Sequence, residues 1–459
     1  MYFLFKDMFG NYIYNSSVND TFELSDALYQ QLTDKSILNK DSTEYCEYSE
    51  LLNLGYFSTT PKSIIFLEKK IINSMLDRQL NHLILQVTQN CNFRCRYCPY
   101  TENDGSDRLH NISKMNSETM KKSIDFFRLH SIDSPSVSIG FYGGEPLLNF
   151  EIIKEAMEYS SLVFAGKLLD FSITTNGTLL TDDILDCLET YNVALTISLD
   201  GPKKINDQNR VFVNDNESTF DNISKKIIAI SEKYPQVLKR LSLNMVLDPK
   251  YSISEYQKIF AELPIAKKII LRASVVDNSG INYHKEYSEE FIQEMEYANF
   301  LYRYTLNRNE LSSELAKTNL FQLAFSQDTE EIFNRIGKNN EFYTPTGVCI
   351  PGHSKLFVDV HGDFFPCEKT SELNDNFIIG SISTGFYYDK INTFVRLASM
   401  TEEECASCWC YSLCSSCAKY CISDVGLDRN KRLMSCNMSK SIGYQSLLTY
   451  VSMKRNGEI

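Results

Sequence analysis

No stretch of this sequence approaches the ~18 consecutive apolar residues of a membrane span, which excludes a simple membrane bundle. The segment from Met1 to Met8 has no basic start, no long apolar region and no small-residue cleavage site, so it does not read as a secretory signal. There is no internal repeat and no low-complexity tract. Positive charge is in deficit: Lys+Arg is 46 against 59 Asp+Glu, a formal net charge of −13. An acidic surface argues against nonspecific binding to nucleic acid or to anionic membrane, so neither is expected as a partner. With 43% hydrophobic and 23% charged residues, the composition is that of a soluble globular protein. Its 459 residues leave room for about three domains of ~150 residues each.

Cysteine is abundant instead. Of 14 cysteines, nine lie between Cys349 and Cys436, and three more are Cys91, Cys95 and Cys98. Cys46 and Cys187 stand alone and read as small core residues. Disulfide frameworks belong to small secreted domains. The expectation here is a cytoplasmic protein whose clustered cysteines bind metal.

Residues 1–80 read as a separate module. Tyr2–Phe5 and Tyr12–Tyr14 flank a hairpin signal at Gly10-Asn11. A third strand, Thr21–Leu24, ends at Ser25, a good N-cap for a helix over Asp26–Leu32, and a second helix is expected near Tyr45–Leu54. Three strands followed by helices suggest a winged-helix-like adaptor; the alternative is an extension that only covers the domain behind it. Residues 81–285 then alternate strands and helices. Leu83–Thr88, Val137–Tyr142, Phe171–Thr175, Val193–Ser198, Leu241–Val246 and Ile269–Val275 read as buried strands, separated by helices such as Ser117–Leu129, Phe150–Val163 and Thr219–Ser231. Six βα units imply an α/β fold with a parallel sheet, right-handed crossovers and chemistry at the strands' C-terminal ends. Residues 286–345 read as a helical bridge, and 346–459 as a cysteine-rich domain.

Directly after the first of these strands comes Cys91-Asn-Phe-Arg-Cys95-Arg-Tyr97-Cys98-Pro-Tyr100. Three thiolates at x3 and x2 spacing can surround one cubic iron–sulfur cluster and leave its fourth iron open for catalysis. The alternative is a zinc knuckle with a fourth ligand from elsewhere. The pattern, with an aromatic residue before the third cysteine, resembles the radical S-adenosylmethionine (SAM) enzymes. That resemblance implies that SAM chelates the open iron and is cleaved reductively to a 5′-deoxyadenosyl radical, which abstracts a substrate hydrogen. A reducing donor of flavodoxin or ferredoxin type is then implied, and the fold becomes a partial (β/α)6 barrel.

Three more motifs carry the resemblance. Gly143-Gly144-Glu145-Pro146 ends the second barrel strand; its glycines would let backbone approach a ligand, and Glu145 can accept hydrogen bonds from an ammonium. Thr174-Thr175-Asn176-Gly177 ends the third and resembles the segment near the ribose. Ser198-Leu-Asp200-Gly-Pro202 ends the fourth, with Arg210 at the spacing where the family places a basic residue by the SAM carboxylate. The chain departs from relatives at Asn206-Asp207, where His-Asp is frequent.

The second cysteine field resembles the SPASM extension of radical SAM peptide-modifying enzymes. Cys349, Gly362 and Cys367 fit with twelve and four intervening residues, and Cys405-x2-Cys408-x5-Cys414 fits as well. Cys417 comes one residue early, Cys421 follows, and Cys410 is extra. The resemblance implies two auxiliary 4Fe–4S clusters, three clusters in all. The farther one would take Cys405, Cys408, Cys414 and Cys436; the nearer would take Cys349, Cys367 and Cys417 with Cys421 or Cys410, or keep an open iron. A treble-clef-like zinc domain is the alternative. Glu368 stands where sulfatase-maturing relatives carry a catalytic Asp, or is a solvated charge beside Lys369. Tyr100 faces substrate, or packs at the barrel rim. His361-Gly362-Asp363 reads as a hairpin turn.

The order of parts resembles maturases of ribosomally made peptides. It implies a precursor peptide, its leader pairing with the edge of the adaptor's hairpin, and a thioether crosslink from a Cys sulfur as the leading chemistry. Carbon–carbon or carbon–oxygen crosslinking and formylglycine formation in a sulfatase are the rivals. An iron–sulfur electron carrier or sensor is the non-catalytic alternative, and it has no need of Gly143-Gly144-Glu145-Pro146.

Overall fold

The structure, a computed structural model, describes residues 1–60, 63–100, 108–214, 217–277, 286–307, 335–337, 349–423 and 425–455. Among the described residues no helix is long and apolar enough to cross a membrane.

The chain opens with strands β1 (Tyr2–Lys6), β2 (Asn11–Asn15) and β3 (Asp20–Leu24), an antiparallel sheet in the order β1-β2-β3. Asn11 is the first residue of β2, so the turn lies one step earlier than the Gly10-Asn11 signal suggests. Ser25 caps α1 (Asp26–Thr33) by accepting a hydrogen bond from the Leu28 amide, and Ser42 does the same for α2 (Thr43–Asn53). Ile13, Leu24, Leu28, Leu51, Tyr56 and Phe57 close a small core of their own beneath this sheet. The opposite face docks on the C-terminal helix Cys436–Arg455: Phe3 stacks on Trp409 at 4.1 Å, and Phe5 and Tyr12 join Leu447 and Val451 in a second core.

After α3 (Lys69–Arg78), six parallel strands follow in sequential spatial order: β4 (His82–Thr88), β5 (Ser136–Gly143), β6 (Leu168–Thr175), β7 (Ala194–Ser198), β8 (Leu241–Leu247) and β9 (Ile270–Val275). Their interleaved helices include α4 (Ser117–His130), α5 (Phe150–Val163), α6 (Asp182–Thr190), α7 (Lys203–Asn209) and α8 (Thr219–Lys233). The strand segments are short, apolar and bounded by turn residues, as parallel strands covered on both faces must be. Leu83, Leu85, Ile139, Leu195, Ile197 and Leu243 have no solvent exposure.

The sheet is wider than the six βα units foretell. β10 (Leu356–Val358) pairs in parallel with β4, and β11 (Asp363–Phe365), β12 (Gly380–Ser381) and β13 (Gly385–Phe386) extend it antiparallel to a total of ten strands. The hairpin between β10 and β11 turns at Gly362, φ +94°, at the expected His361–Asp363. A single core runs from Ile72 through the six parallel strands to Ile422. The strands after residue 346 thus share the barrel's sheet and its interior. Of the bridge, the structure describes the helix Glu289–Asn307 and residues 335–337; the remainder, with Thr344–Gly347, lies outside the described residues. Cys46 is exposed on α2 and Cys187 half-buried on α6, so Cys46 is not the core residue expected of it.

Candidate active site

The four motifs meet at the C-terminal ends of β4 to β7. The loop of Cys91, Cys95 and Cys98 leaves β4 and is strapped to the segment after α7. The Arg94 amide donates to the Val211 carbonyl at 2.8 Å and the Arg96 amide to Asn209 at 2.9 Å, while Phe93 packs edge-on against Phe212. The three thiols sit together and beside Arg210 in one electrostatic environment. Desolvation pushes the Cys91 thiol up to about 12, and Cys95 and Cys98 up as well, so ligation by thiolates requires a metal to displace the protons. Among the described residues no three His, Cys, Asp or Glu side chains converge as a single ion would need.

Gly143 and Gly144 act differently from the sequence reading. A Cβ on Gly143 would lie 2.1 Å from the Thr88 carbonyl oxygen, and one on Gly144 2.2 Å from that of Asn90. The glycines therefore let the cysteine loop close on β5. The Gly144 and Glu145 amides donate to Thr88 and Asn90 at 2.9 and 2.8 Å and lock that contact. Glu145 is buried, and its carboxylate accepts from Thr175 Oγ1 at 2.6 Å, from the Asn176 amide at 2.7 Å and from the Leu147 amide at 3.1 Å. It braces the end of β6 against that of β5, and Oε2, which accepts only from Asn176, keeps capacity for one more donor. Asn176 extends the brace, its Nδ2 donating to Asn92 Oδ1 at 2.7 Å in the cysteine loop.

Behind the loop, Tyr97 donates its hydroxyl proton to Asp200 and accepts from Arg210 Nη1 at 2.8 Å; Arg210 and Asp200 are 3.7 Å apart. Asp200 has no exposure, and desolvation raises its pKa against the pull of Arg210. Asn206 supplies what the usual His would: its Oδ1 accepts from the Asp200 amide at 3.2 Å and its Nδ2 donates to Thr219 at 2.8 Å. Ser198 closes β7 beside this group. The fit to a polar cofactor rests on orphaned atoms: Asn209 Oδ1 and Nδ2 and Arg210 Nε are buried without a hydrogen-bond partner. Buried amides are rarely left so, and a bound polar group would satisfy them. Asn209 carried no sequence signal beyond lying next to Arg210.

The remaining cysteines form two neighbourhoods. Cys405, Cys408, Cys414 and Cys436 influence one another, with Lys440 nearby. Cys367 interacts with Cys417, Cys417 with Cys421, and Lys355 with both Cys367 and Cys349. Two sets of four thiols suit two four-iron clusters by their donor chemistry. Cys410 lies closer to the first set but is turned into the core: it has 1% exposure, and its Sγ is 3.5 Å from the Ser439 carbonyl and 2.8 Å from where a Cβ on Gly443 would sit.

Of the two acid–base candidates, Tyr100 is committed, its hydroxyl accepting from Gln86 Nε2 at 2.9 Å and Arg108 Nη1 at 3.3 Å. Glu368 is not solvated. Burial opposes its charge, but Lys355 at 2.9 Å prevails and holds the carboxyl below its ordinary range; its Oε2 is buried without a partner. Tyr142, at the end of β5, packs edge-on against Phe357 and lies in the field of Arg108, Glu368 and Cys98; the sequence reading missed it.

A family model described as the radical SAM superfamily matches residues 85–263. An uncharacterized protein of Methanocaldococcus jannaschii is 35% identical over 34% of this chain and 51% of its own. The radical SAM cyclopropyl synthase TigE of Paramaledivibacter caminithermalis is 28% identical over 36% of each chain. The cysteine-type anaerobic sulfatase-maturating enzyme of Clostridium perfringens is 24% identical over 74% of this chain and 89% of its own. The chain thus spans about half, or less, of the first two of these relatives. Among solved structures, anSMEcpe with bound AdoMet superposes with a TM-score of 0.59 at 19% identity, over 82% of this chain and 98% of that one, a likeness of fold. The parallel sheet, the motifs at its strand ends and the family match converge: residues 85–263 carry a radical SAM domain.

Proposed function

We propose that this chain matures a peptide by oxidative radical chemistry, forming a thioether between a cysteine sulfur and a carbon of another residue in a ribosomally made precursor. The observation that carries the reading is Glu368. It is a buried carboxylate held in its charged form by Lys355, with one unpartnered oxygen, next to Cys367. Cys91, Cys95 and Cys98 would hold the SAM-binding cluster, with Arg210, Asn209 and the end of β7 near Ser198 around the cofactor. When bound, SAM supplies the 5′-deoxyadenosyl radical that removes one hydrogen atom from the substrate carbon. Closing the carbon–sulfur bond then releases one proton from the thiol and one electron. Glu368 would take the proton, and a cluster held by the neighbouring thiol set would take the electron. A flavodoxin- or ferredoxin-type donor would supply the electron for SAM cleavage.

The N-terminal sheet would bind the leader. The Thr21 amide donates to its own neighbour's side chain, Asp20 Oδ1, and the Thr21 carbonyl accepts from Lys454, so this backbone faces away from β2. By the alternation of a strand, Glu23 faces the same open edge, where an extended peptide can add by backbone pairing. Glu23→Pro removes one edge amide at a position where proline is tolerated. Leader affinity should fall at least tenfold, with SAM cleavage in the absence of peptide unchanged.

A second reading, oxidation of a cysteine to formylglycine, is favoured by the sulfatase-maturating relatives that match along 74% of the chain. It shares the loss of a hydrogen atom, a proton and an electron. Co-expression with a short cysteine-containing open reading frame beside the gene, followed by mass spectrometry, separates the two. A product short of two hydrogens with one thiol blocked supports the thioether; an aldehyde in place of the thiol supports the second reading.

A further inference from the structure

Arg432 lies on the short helix Arg429–Met434, whose N-cap Asp428 accepts from the Asn430 and Lys431 amides. Its side chain runs inward and the residue is 2% exposed. Nε donates to Thr401 Oγ1 at 2.8 Å, Nη1 to Ser416 Oγ at 3.4 Å, and Nη2 reaches Cys405 Sγ at 4.0 Å. Ser416 Oγ is in turn 3.8 Å from Cys421 Sγ, so the guanidinium reaches the Cys421 thiol through this hydroxyl. The Cys436 thiol donates to the Arg432 carbonyl at 3.9 Å. One buried cation is therefore linked to a thiol of each auxiliary set, to Cys405 of the first directly and to Cys421 of the second through Ser416.

We propose that Arg432 is a positioning residue shared by two auxiliary iron–sulfur centres, fixing Cys405 and Cys421 and raising the reduction potentials of both together. The proposal rests on the reading that the two thiol sets hold clusters. A buried guanidinium is costly unless anionic partners surround it, and a cubane held by four thiolates is such a partner. Net charge and hydrogen bonds to sulfur set the potential of a cluster. A fixed positive charge against the sulfurs favours the more negative, reduced state. The planar fork of arginine can serve two sides at once, which the point charge of lysine cannot do with the same geometry.

The test is an anaerobic redox titration by electron paramagnetic resonance, with iron analysis, of the full-length wild type, Arg432→Gln and Arg432→Lys after reconstitution. In Arg432→Gln the reduced-to-oxidised ratio of both auxiliary centres at a fixed poise should fall about tenfold, ~59 mV for a one-electron couple. The SAM-binding centre should stay where it is, and Arg432→Lys, which keeps the charge without the fork, should recover only part of the shift. If Arg432→Gln fails to load both auxiliary centres while Arg432→Lys loads them, the shared role stands. Unchanged auxiliary potentials, or a shift or iron loss confined to one centre, would overturn it. A wild type with only about four irons would overturn the cluster reading, and this proposal with it; about twelve irons with no shift in the variant overturns this proposal alone.

Discussion

Arg108 and Glu372 form an ion pair at 2.9 Å with 2% and 7% of their side chains exposed. Around it, Arg108 donates to the carbonyls of Glu368 and Thr370, and Glu372 accepts from Gln86 Nε2 at 2.7 Å and Gln89 Nε2 at 3.1 Å. The pair thus pins the segment after the Cys91–Cys98 loop, the end of β4 and the segment after Cys367 to one another. Removing one partner of such a pair strands a buried charge, whereas removing both need not. Arg108→Met is therefore expected to destabilise the protein by about 3–5 kcal/mol. Arg108→Met with Glu372→Leu should lose clearly less, measured as the shift in thermal midpoint.

The cysteine sets predict the metal content. Reconstitution under anaerobic conditions should yield about twelve irons per chain, four for each cluster, with no zinc. Cys95→Ala should leave about eight irons and abolish 5′-deoxyadenosine formation under reduction, measured by chromatography. A variant that still forms it would remove Cys95 from the cofactor site.

Gly144 supplies a sharper probe of the same loop. A methyl group there meets the Asn90 carbonyl oxygen at 2.2 Å, and the backbone must shift to admit it. Gly144→Ala should lower iron retention at the SAM-binding site while both auxiliary sets load normally, so that iron falls by about four per chain.

Asp359 gives a pH dependence with a definite sign. It is 6% exposed at the turn between β10 and β11, and its Oδ1 accepts from the His361 and Asp363 amides at 2.9 and 2.8 Å. Desolvation raises its pKa from 3.8 to about 6. The folded state therefore prefers the protonated acid. This contribution is fully present below pH 3.8 and is lost as the pH rises through about 6. Its size is about 3 kcal/mol, from roughly two pKa units. Asp359→Asn keeps the accepting oxygen and removes the charge. Its thermal midpoint should rise relative to wild type between about pH 4 and 6 and level off above that, and a constant difference from pH 4 to 6 would speak against the buried charge.

Much of this was legible in the sequence, for identifiable reasons. The six parallel strands announce themselves because each is a short apolar run ending in a glycine or polar motif, and Ser25 marks the start of α1 by its own chemistry. The cysteine loop and the motifs around Glu145, Asn176 and Asp200 stand out as unusual residue types at strand ends. What could not be read was direction. Nothing local tells that Glu145 accepts from Thr175 and Asn176, or that Tyr100 is taken up by Arg108 from 8 residues away. Of β10 to β13 only the turn at His361–Asp363 was legible, because two- and three-residue strands carry no periodicity, and the pairing of β10 with β4 joins residues more than 270 positions apart. Arg432 looked like one basic residue among several; only the packing of Thr401, Ser416 and Cys405 around it sets it apart.

The parallel pairing of Leu356, Phe357 and Val358 with Leu83, Ile84 and Leu85 has a consequence for how this protein can be divided. Without those three residues, β4 would become the outermost strand of the sheet, a flat apolar ribbon with an unmatched row of amides and carbonyls. Such a border recruits whatever strand is nearest, including that of another copy. The cysteine-rich end of the chain is thus also the selvedge that keeps the barrel from fraying into aggregates. A fragment ending before residue 350 would be expected to self-associate whether or not its SAM site is intact.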